Sequence, residues 1–133
     1  MIFIDSNVPM YLMGVAHPHK TDAQLILERL TVTRDRLVTD AGMLQELIHR
    51  YSAIGRREWI EPALQLVLTI VDEVIPIEAG DVLRAGEIAQ LPARWSARDA
   101  LHLAVMQRHR IGSIFTFDSD FDRWPGLTRI HSV

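Results

Sequence analysis

The stretch SARDALHLAVMQRHRIGSIFTFD, residues 96–118, puts a helix directly ahead of a strand and ends that strand on an aspartate. Ser96, followed three residues later by an acid, marks a helix start. The residues behind it are apolar nearly all round and predict a buried helix over 96–110, closed by Gly112. SIFTF (113–117) predicts the strand, with Asp118 at its C-terminal end. A helix that delivers the chain into a strand is half of a crossover unit, so the fold turns on whether the pattern recurs.

It recurs in both directions. MIFI (1–4) has no polar alternation, as expected of a strand buried on both faces, and Asp5 follows at once. SNVPMYLMG reads as a helical turn with Ser6 or Asn7 as cap and Pro9 near its start, AHPHK (16–20) as a loop, and residues 21–34 as a helix. RLVT (36–39) predicts a second strand, and residues 40–55 a helix ended by Gly55. Residues 57–71 predict a further helix with Pro62 in its first turn or at a kink. EVIPI (73–77) predicts a third strand kept short by Pro76, then come a helix over 79–90 and a loop over 91–95, and LTRIHSV (127–133) offers a fifth strand at the edge. Strands alternating with helices of about 10–15 residues predict a parallel sheet covered on both faces. No repeat or linker interrupts this order, so residues 1–133 are expected to form one α/β domain.

Composition narrows the chemistry. The chain contains no cysteine, which excludes disulfides and zinc–thiolate sites. Its longest strongly apolar stretch, residues 62–71, is too short to span a bilayer, so a soluble, cytoplasmic protein is expected. The formal net charge of −3 supplies no bulk attraction for nucleic acid. Local basic spots do exist at Arg56-Arg57, at Arg94 and Arg98, and at Arg108-His109-Arg110, whereas Lys20 is the only lysine.

In a parallel sheet all strand C-termini share one edge, and ligands sit just outside it. Asp5 and Asp118 follow the first and fourth strands directly, and both belong at that edge if those strands are near neighbours. Glu46 lies off the apolar stripe of its helix, and Asp99 sits in the first turn of its own; both helices begin or pass near the same edge. Each acid also has a purely structural role available. Asp5 can cap the next turn, Glu46 can pair with Arg50, Asp99 can complete a capping box with Ser96, and Asp118 or Asp120 can cap a single turn over SDFDR. Taken together the balance changes, because several ionised carboxylates at one edge repel unless a cation holds them. Hard oxygen donors suit Mg2+ or Mn2+, and such ions serve phosphoryl displacements in which water, not Ser, Cys or His, is the nucleophile.

FIDSN (3–7), LQELIHR (44–50), SARDALHLA (96–104) and TFDSDFD (116–122) resemble the acidic motifs of PIN-domain ribonucleases, in particular the VapC toxins of bacterial toxin–antitoxin pairs. The resemblance spans essentially the whole chain. It implies a PIN-like three-layer α/β/α sandwich on a short central parallel sheet and a metal-dependent endoribonuclease that cleaves single-stranded or looped RNA, including transfer RNA. The acidic quartet then falls on Asp5, Glu46, Asp99 and Asp118, with Asp120 an accessory or alternative ligand for Mg2+ or Mn2+. Thr116 matches a hydroxyl that orients an aspartate, Asn7 supports the first motif, and Arg50, Arg94 and Arg98 are candidates for holding RNA phosphates. The resemblance also implies a homodimer and inhibition by a cognate VapB-type antitoxin, for which Met10, Tyr11, Leu12 and Met13 offer an apolar face.

Other features read as scaffolding. His102 lies in a near-apolar turn and is expected to be a hydrogen-bonded core residue, while His49 is one turn from Glu46. His17-Pro18-His19 reads as plain surface, Trp59, Trp95 and Trp124 as packing anchors with Trp95 also beside Arg94 and Arg98, and Asp122 as a solvated charge beside Arg123. Two rival classes remain open. A small-molecule phosphohydrolase with an aspartyl nucleophile is disfavoured, because it would want Asp-x-Asp after the first strand and a late lysine. A non-catalytic module with an acidic edge for an arginine-rich partner would not respond to metal.

Overall fold

The computed structural model describes residues 1–132. In chain order the elements are β1 (Ile2–Ile4), α1 (Asn7–Met13), α2 (Pro18–Val32), β2 (Leu37–Asp40), α3 (Ala41–Ala53), α4 (Ile60–Ile70), β3 (Glu73–Ile75), α5 (Ala79–Ala89), α6 (Ala97–Arg108), β4 (Ser113–Phe115) and β5 (Thr128–Ile130). Short 3-10 turns at Arg57–Trp59 and Ser119–Arg123 precede α4 and β5. The five strands form one parallel sheet in the order β3-β2-β1-β4-β5. The chain thus steps from β1 outward to β2 and β3, then returns to lay β4 on the other side of β1. That reversal opens a crevice between the C-terminal ends of β1 and β4, where open parallel sheets bind ligands.

The pleat sorts the buried residues into two layers. Phe3, Val38 and Ile114 face one way, onto Ile88, Leu103 and Phe121 from α5, α6 and the turn before β5. Ile2, Ile4, Leu37 and Phe115 face the other, onto Val8, Ala23, Ile26 and Leu30 from α1 and α2. A third cluster joins α3 to α4 through Met43, Leu47, Tyr51, Ala63 and Val67. Phe3, at the centre with no exposed surface, contributes about 1.5–3 kcal/mol through burial alone. Among the described residues, no helix is long and apolar enough to cross a membrane.

Several boundaries differ from the sequence expectation. The 16–20 segment is not a loop throughout, because α2 begins at Pro18. Pro18 occupies the position where a missing N–H is harmless, and the His17 ring caps the helix by accepting from the His19 amide at 3.0 Å. Gly55 does end α3 with φ of 71°, but α6 turns out at Arg110, φ 56°, not at Gly112. The fifth strand lies at the edge as expected but covers only Thr128–Ile130, and Val133 lies outside the described residues. Met10–Met13 is only partly open: Leu12 packs on the α2 layer and Met10 and Met13 on the α3–α4 cluster, while Met10 and Tyr11 also line a surface cavity. Trp95 is buried beside Trp124, with the Arg123 guanidinium over its ring at 4.9 Å, so no face is left for stacking a base. Asp122 is not simply solvated, since it forms a two-pronged ion pair with Arg129 at 2.8 and 3.1 Å.

Candidate active site

The end of β1 delivers Asp5 into the crevice, where its side chain is almost fully buried. Its Oδ1 accepts from the Ser6 amide at 2.8 Å, and its Oδ2 accepts from the Thr116 hydroxyl at 2.7 Å. Thr116 follows β4, so this bond ties the two strands together across the reversal point. The same hydroxyl accepts from Asn7 Nδ2 at 3.0 Å and from the Asp118 amide at 3.1 Å, using its donor and both lone pairs. Asn7 completes the clasp by accepting from the Phe117 amide at 3.3 Å. Asp5 therefore has one orientation, set directly by Ser6 and Thr116, with Asn7 and the Asp118 amide holding Thr116 in turn.

The other acids arrive from separate elements. Asp118 caps the turn over Ser119–Arg123, its Oδ1 accepting from the Asp120 amide at 2.9 Å. Asp99 enters from the first turn of α6, where its amide donates to Ser96 Oγ at 3.1 Å. Glu46 projects from α3 with Arg50 Nε 3.6 Å from its Oε2. Asp5, Glu46, Asp99 and Asp118 line one cavity of about 550 Å³, together with Asn7, His49, Arg50 and Arg98. Asp120 is outside it, exposed and 3.7 Å from Arg123, and Arg94 is likewise exposed and outside.

Behind these acids lies a buried relay that the sequence reading missed in part. Asp40, at the end of β2, caps α3 by accepting from the Met43 amide at 2.9 Å through Oδ1. Its Oδ2 lies 2.7 Å from His102 Nδ1, and both side chains have no exposed surface. His102 Nε2 in turn lies 3.5 Å from Glu46 Oε1. His102 is the hydrogen-bonded core residue expected of it, but it connects directly to the acidic edge. A simple signal was available: Asp40 ends a strand of the parallel sheet, as Asp5 does, so it belongs to the same edge.

The electrostatics follow from this crowding. Burial pushes the Asp5 carboxyl above its usual range, against opposition from His102 and Thr116. Asp99 is pushed up to about 6 by burial and by the neighbouring charges of Asp5, Asp118 and Glu46, with His102 opposing them. Burial also acts to raise Glu46, but hydrogen bonding and charge from His102, with Ser6 and Arg50, hold it below its usual value. His102 is held well above the usual imidazole range by Asp40, Glu46 and Asp5, although burial alone would lower it. Asp5 and Glu46 carboxylate oxygens and a His102 ring nitrogen all lie within 4.8 Å of one another, and of these only the oxygens have lone pairs free for a cation while His102 is protonated. Clustered oxygen donors that resist simultaneous ionisation fit a divalent cation, whose charge would relieve the repulsion.

Comparison with known proteins agrees with this fold. The PIN domain profile matches residues 2–127. The chain is similar to the ribonuclease VapC13 of Mycobacterium tuberculosis, at 52% identity over 98% of this chain and 99% of that one. Among solved structures it resembles VapC20 of Mycobacterium tuberculosis, described as a sarcin–ricin loop cleaving toxin, with a TM-score of 0.74, 24% identity and coverage of 92% and 93%. It also resembles VapBC2 of Rickettsia felis bound to a promoter DNA fragment, with a TM-score of 0.75, 20% identity and full coverage of both chains.

Proposed function

The chain belongs to the PIN-domain family, among its VapC ribonucleases, and on that premise we propose that it is a toxin endoribonuclease that hydrolyses RNA phosphodiester bonds with a divalent cation. The observation that carries this reading is the convergence of Asp5, Glu46, Asp99 and Asp118 on one cavity at the reversal point of the sheet. Mg2+ or Mn2+ held by Asp5, Asp99 and Asp118 would polarise the scissile phosphate and lower the pKa of a water.

The protein's own residues then have separable tasks. Thr116 and the Ser6 amide fix Asp5, so the carboxylate needs no reorganisation to meet a cation. Glu46, kept ionised by His102 and Arg50, is placed to accept a proton or to orient the attacking water. His102, held by Asp40, supplies positive charge from behind the acids and keeps Glu46 in register. Arg50 and Arg98 line the cavity and are suited to flanking phosphates, whereas Asp120 and Arg94 take no part in this assignment. In this reading residues 1–133 form a single PIN-like domain that acts as a homodimer and is held in check by a VapB-type antitoxin.

Cleavage of single-stranded and stem-loop RNA by the wild-type protein and by Asp5→Asn, each with Mg2+ or Mn2+, tests the assignment. Asp5→Asn should lose cleavage while keeping its circular dichroism spectrum. Undiminished cleavage by that variant would remove Asp5 from the chemistry.

A further inference from the structure

A second concavity of about 350 Å³ opens beside the acidic cavity and shares Asn7, Met10 and Arg50 with it. Its remaining wall is Tyr11, Gly14, Val15 and His17, and no acidic residue lines it. The two lobes thus have opposite chemistry: four carboxylates in one, and aromatic, apolar and basic groups in the other.

The aromatic wall is held in place. Tyr11 and His17 rings lie 5.0 Å apart at 31°, and Tyr11 stands edge-on to His19 at 4.9 Å and to Phe117 at 5.4 Å. His19 stacks on Phe117 at 4.3 Å and 15°, bracing the cluster from behind. His17 Nδ1 accepts from the His19 amide, so the neutral ring carries its proton on Nε2, a donor on an exposed side chain. Lys20 Nζ donates to the Gly14 carbonyl at 2.9 Å, which sets its charge beside the same wall. Arg50 stands between the lobes: Nε is 3.6 Å from Glu46 Oε2, and Nη1 is 3.6 Å from Met10 Sδ.

We propose that this lobe is a nucleoside-binding subsite, in which the base next to the scissile phosphate packs on Tyr11 and His17 while Arg50 holds the intervening phosphate. It rests on the ribonuclease reading above and adds the group that reads the RNA. Continuity with the acidic cavity places the occupant one linkage from the reacting phosphate. The charge pattern selects RNA over an arginine-bearing peptide, because Arg50 and Lys20 would repel the latter and attract phosphate. Ring faces accept any base, while the His17 donor favours a base edge that presents an acceptor.

Tyr11→Leu keeps the apolar packing and removes the ring, and His17→Asn keeps an acceptor for the helix cap and removes the imidazole. The test measures cleavage of a randomised single-stranded RNA pool with wild type and each variant, together with oligoribonucleotide affinity in EDTA. Loss of stacking should weaken binding about 5–150-fold, the equivalent of 1–3 kcal/mol per base, and raise KM more than it lowers kcat. It should also flatten base preference at one position next to the cut and leave more distant positions unchanged. If wild type cleaves RNA and both variants keep its KM and profile, the subsite is overturned and the ribonuclease reading stands. If wild type neither binds nor cleaves RNA, the ribonuclease reading itself fails. Variants that leave RNA handling unchanged but weaken capture of a co-expressed antitoxin would assign the lobe to protein docking and overturn the proposal.

Discussion

Asp99 shows most directly how residue chemistry and stability oppose one another here. Its carboxyl is pushed from 3.8 up to about 6 by burial and like charge. A raised acid stabilises the fold fully below its unfolded value, and that contribution is lost as pH rises through the folded value. For this group, the metal-free protein should therefore gain stability as pH falls from neutrality toward 4. Asp99→Asn removes the penalty, so in EDTA at pH 7 its Tm should rise above wild type while cleavage falls on the order of a hundredfold or more. A lower Tm in EDTA would show that Asp99 is not under electrostatic strain. Substitution at Asp40 should have the opposite effect on stability. Asp40 is the fully buried partner of His102, and Asp40→Asn can keep the α3 cap while leaving the imidazolium with only the more distant Glu46, at a cost of about 3–5 kcal/mol. Urea unfolding would measure it, and an unchanged midpoint would mean that His102 is neutral and self-sufficient. The His102 contribution is complete below 6.5 and declines as pH rises through the higher folded value, so Asp40→Asn should flatten the alkaline side of the stability profile.

At the scale of elements, helix ends are where the sequence was least informative. α3 ends on Gly55 in a turn closed by the Arg56 amide on the Tyr51 carbonyl at 2.8 Å, and the glycine was readable. α2 and α6 use the same six-to-one bond, Asp35 to Leu30 at 3.1 Å and Ile111 to Met106 at 2.9 Å, but place Arg34 and Arg110 at positive φ. An L residue there costs roughly 1–2 kcal/mol, against roughly 0.5–1 kcal/mol for the extra freedom a glycine loses. Arg110→Gly should therefore stabilise the protein by about 0.5 kcal/mol and raise Tm by a few degrees. Thermal unfolding decides this, and a fall in Tm would mean that the arginine side chain contributes more than its backbone costs. The start of α2 was missed for a related reason: His17 and Pro18 do the work usually assigned to Ser or Asp, so the helix opened where no standard cap was visible.

At the scale of the molecule, the reversal of strand order at β1 and β4 makes a repulsive cluster part of the native state. Mg2+ or Mn2+ should raise Tm by mass action, and more at pH 7 than at pH 5, where a proton competes for Asp99. An equal shift at both values would place the ion elsewhere. The alternation of helix and strand, the buried central strand and the acids at strand ends were all legible in the sequence, because hydrophobic periodicity and the parallel-sheet edge follow from local pattern. Asp5, Asp99 and Asp118 could be named that way, and Glu46 because it falls off its apolar stripe. Which acids share a cavity was legible only through the family resemblance, which set Asp118 ahead of Asp120; local pattern alone does not separate them. Asp118 and Asp120 are two residues apart and chemically equal, yet one lines the cavity and the other pairs with Arg123 outside it. The Asp40–His102 pair joins residues 62 positions apart, and the aromatic lobe draws on α1, the α2 cap and α3. Local pattern determined what each segment would become; only the packing of distant segments, through side-chain direction at contacts no local period encodes, decided which charges would meet.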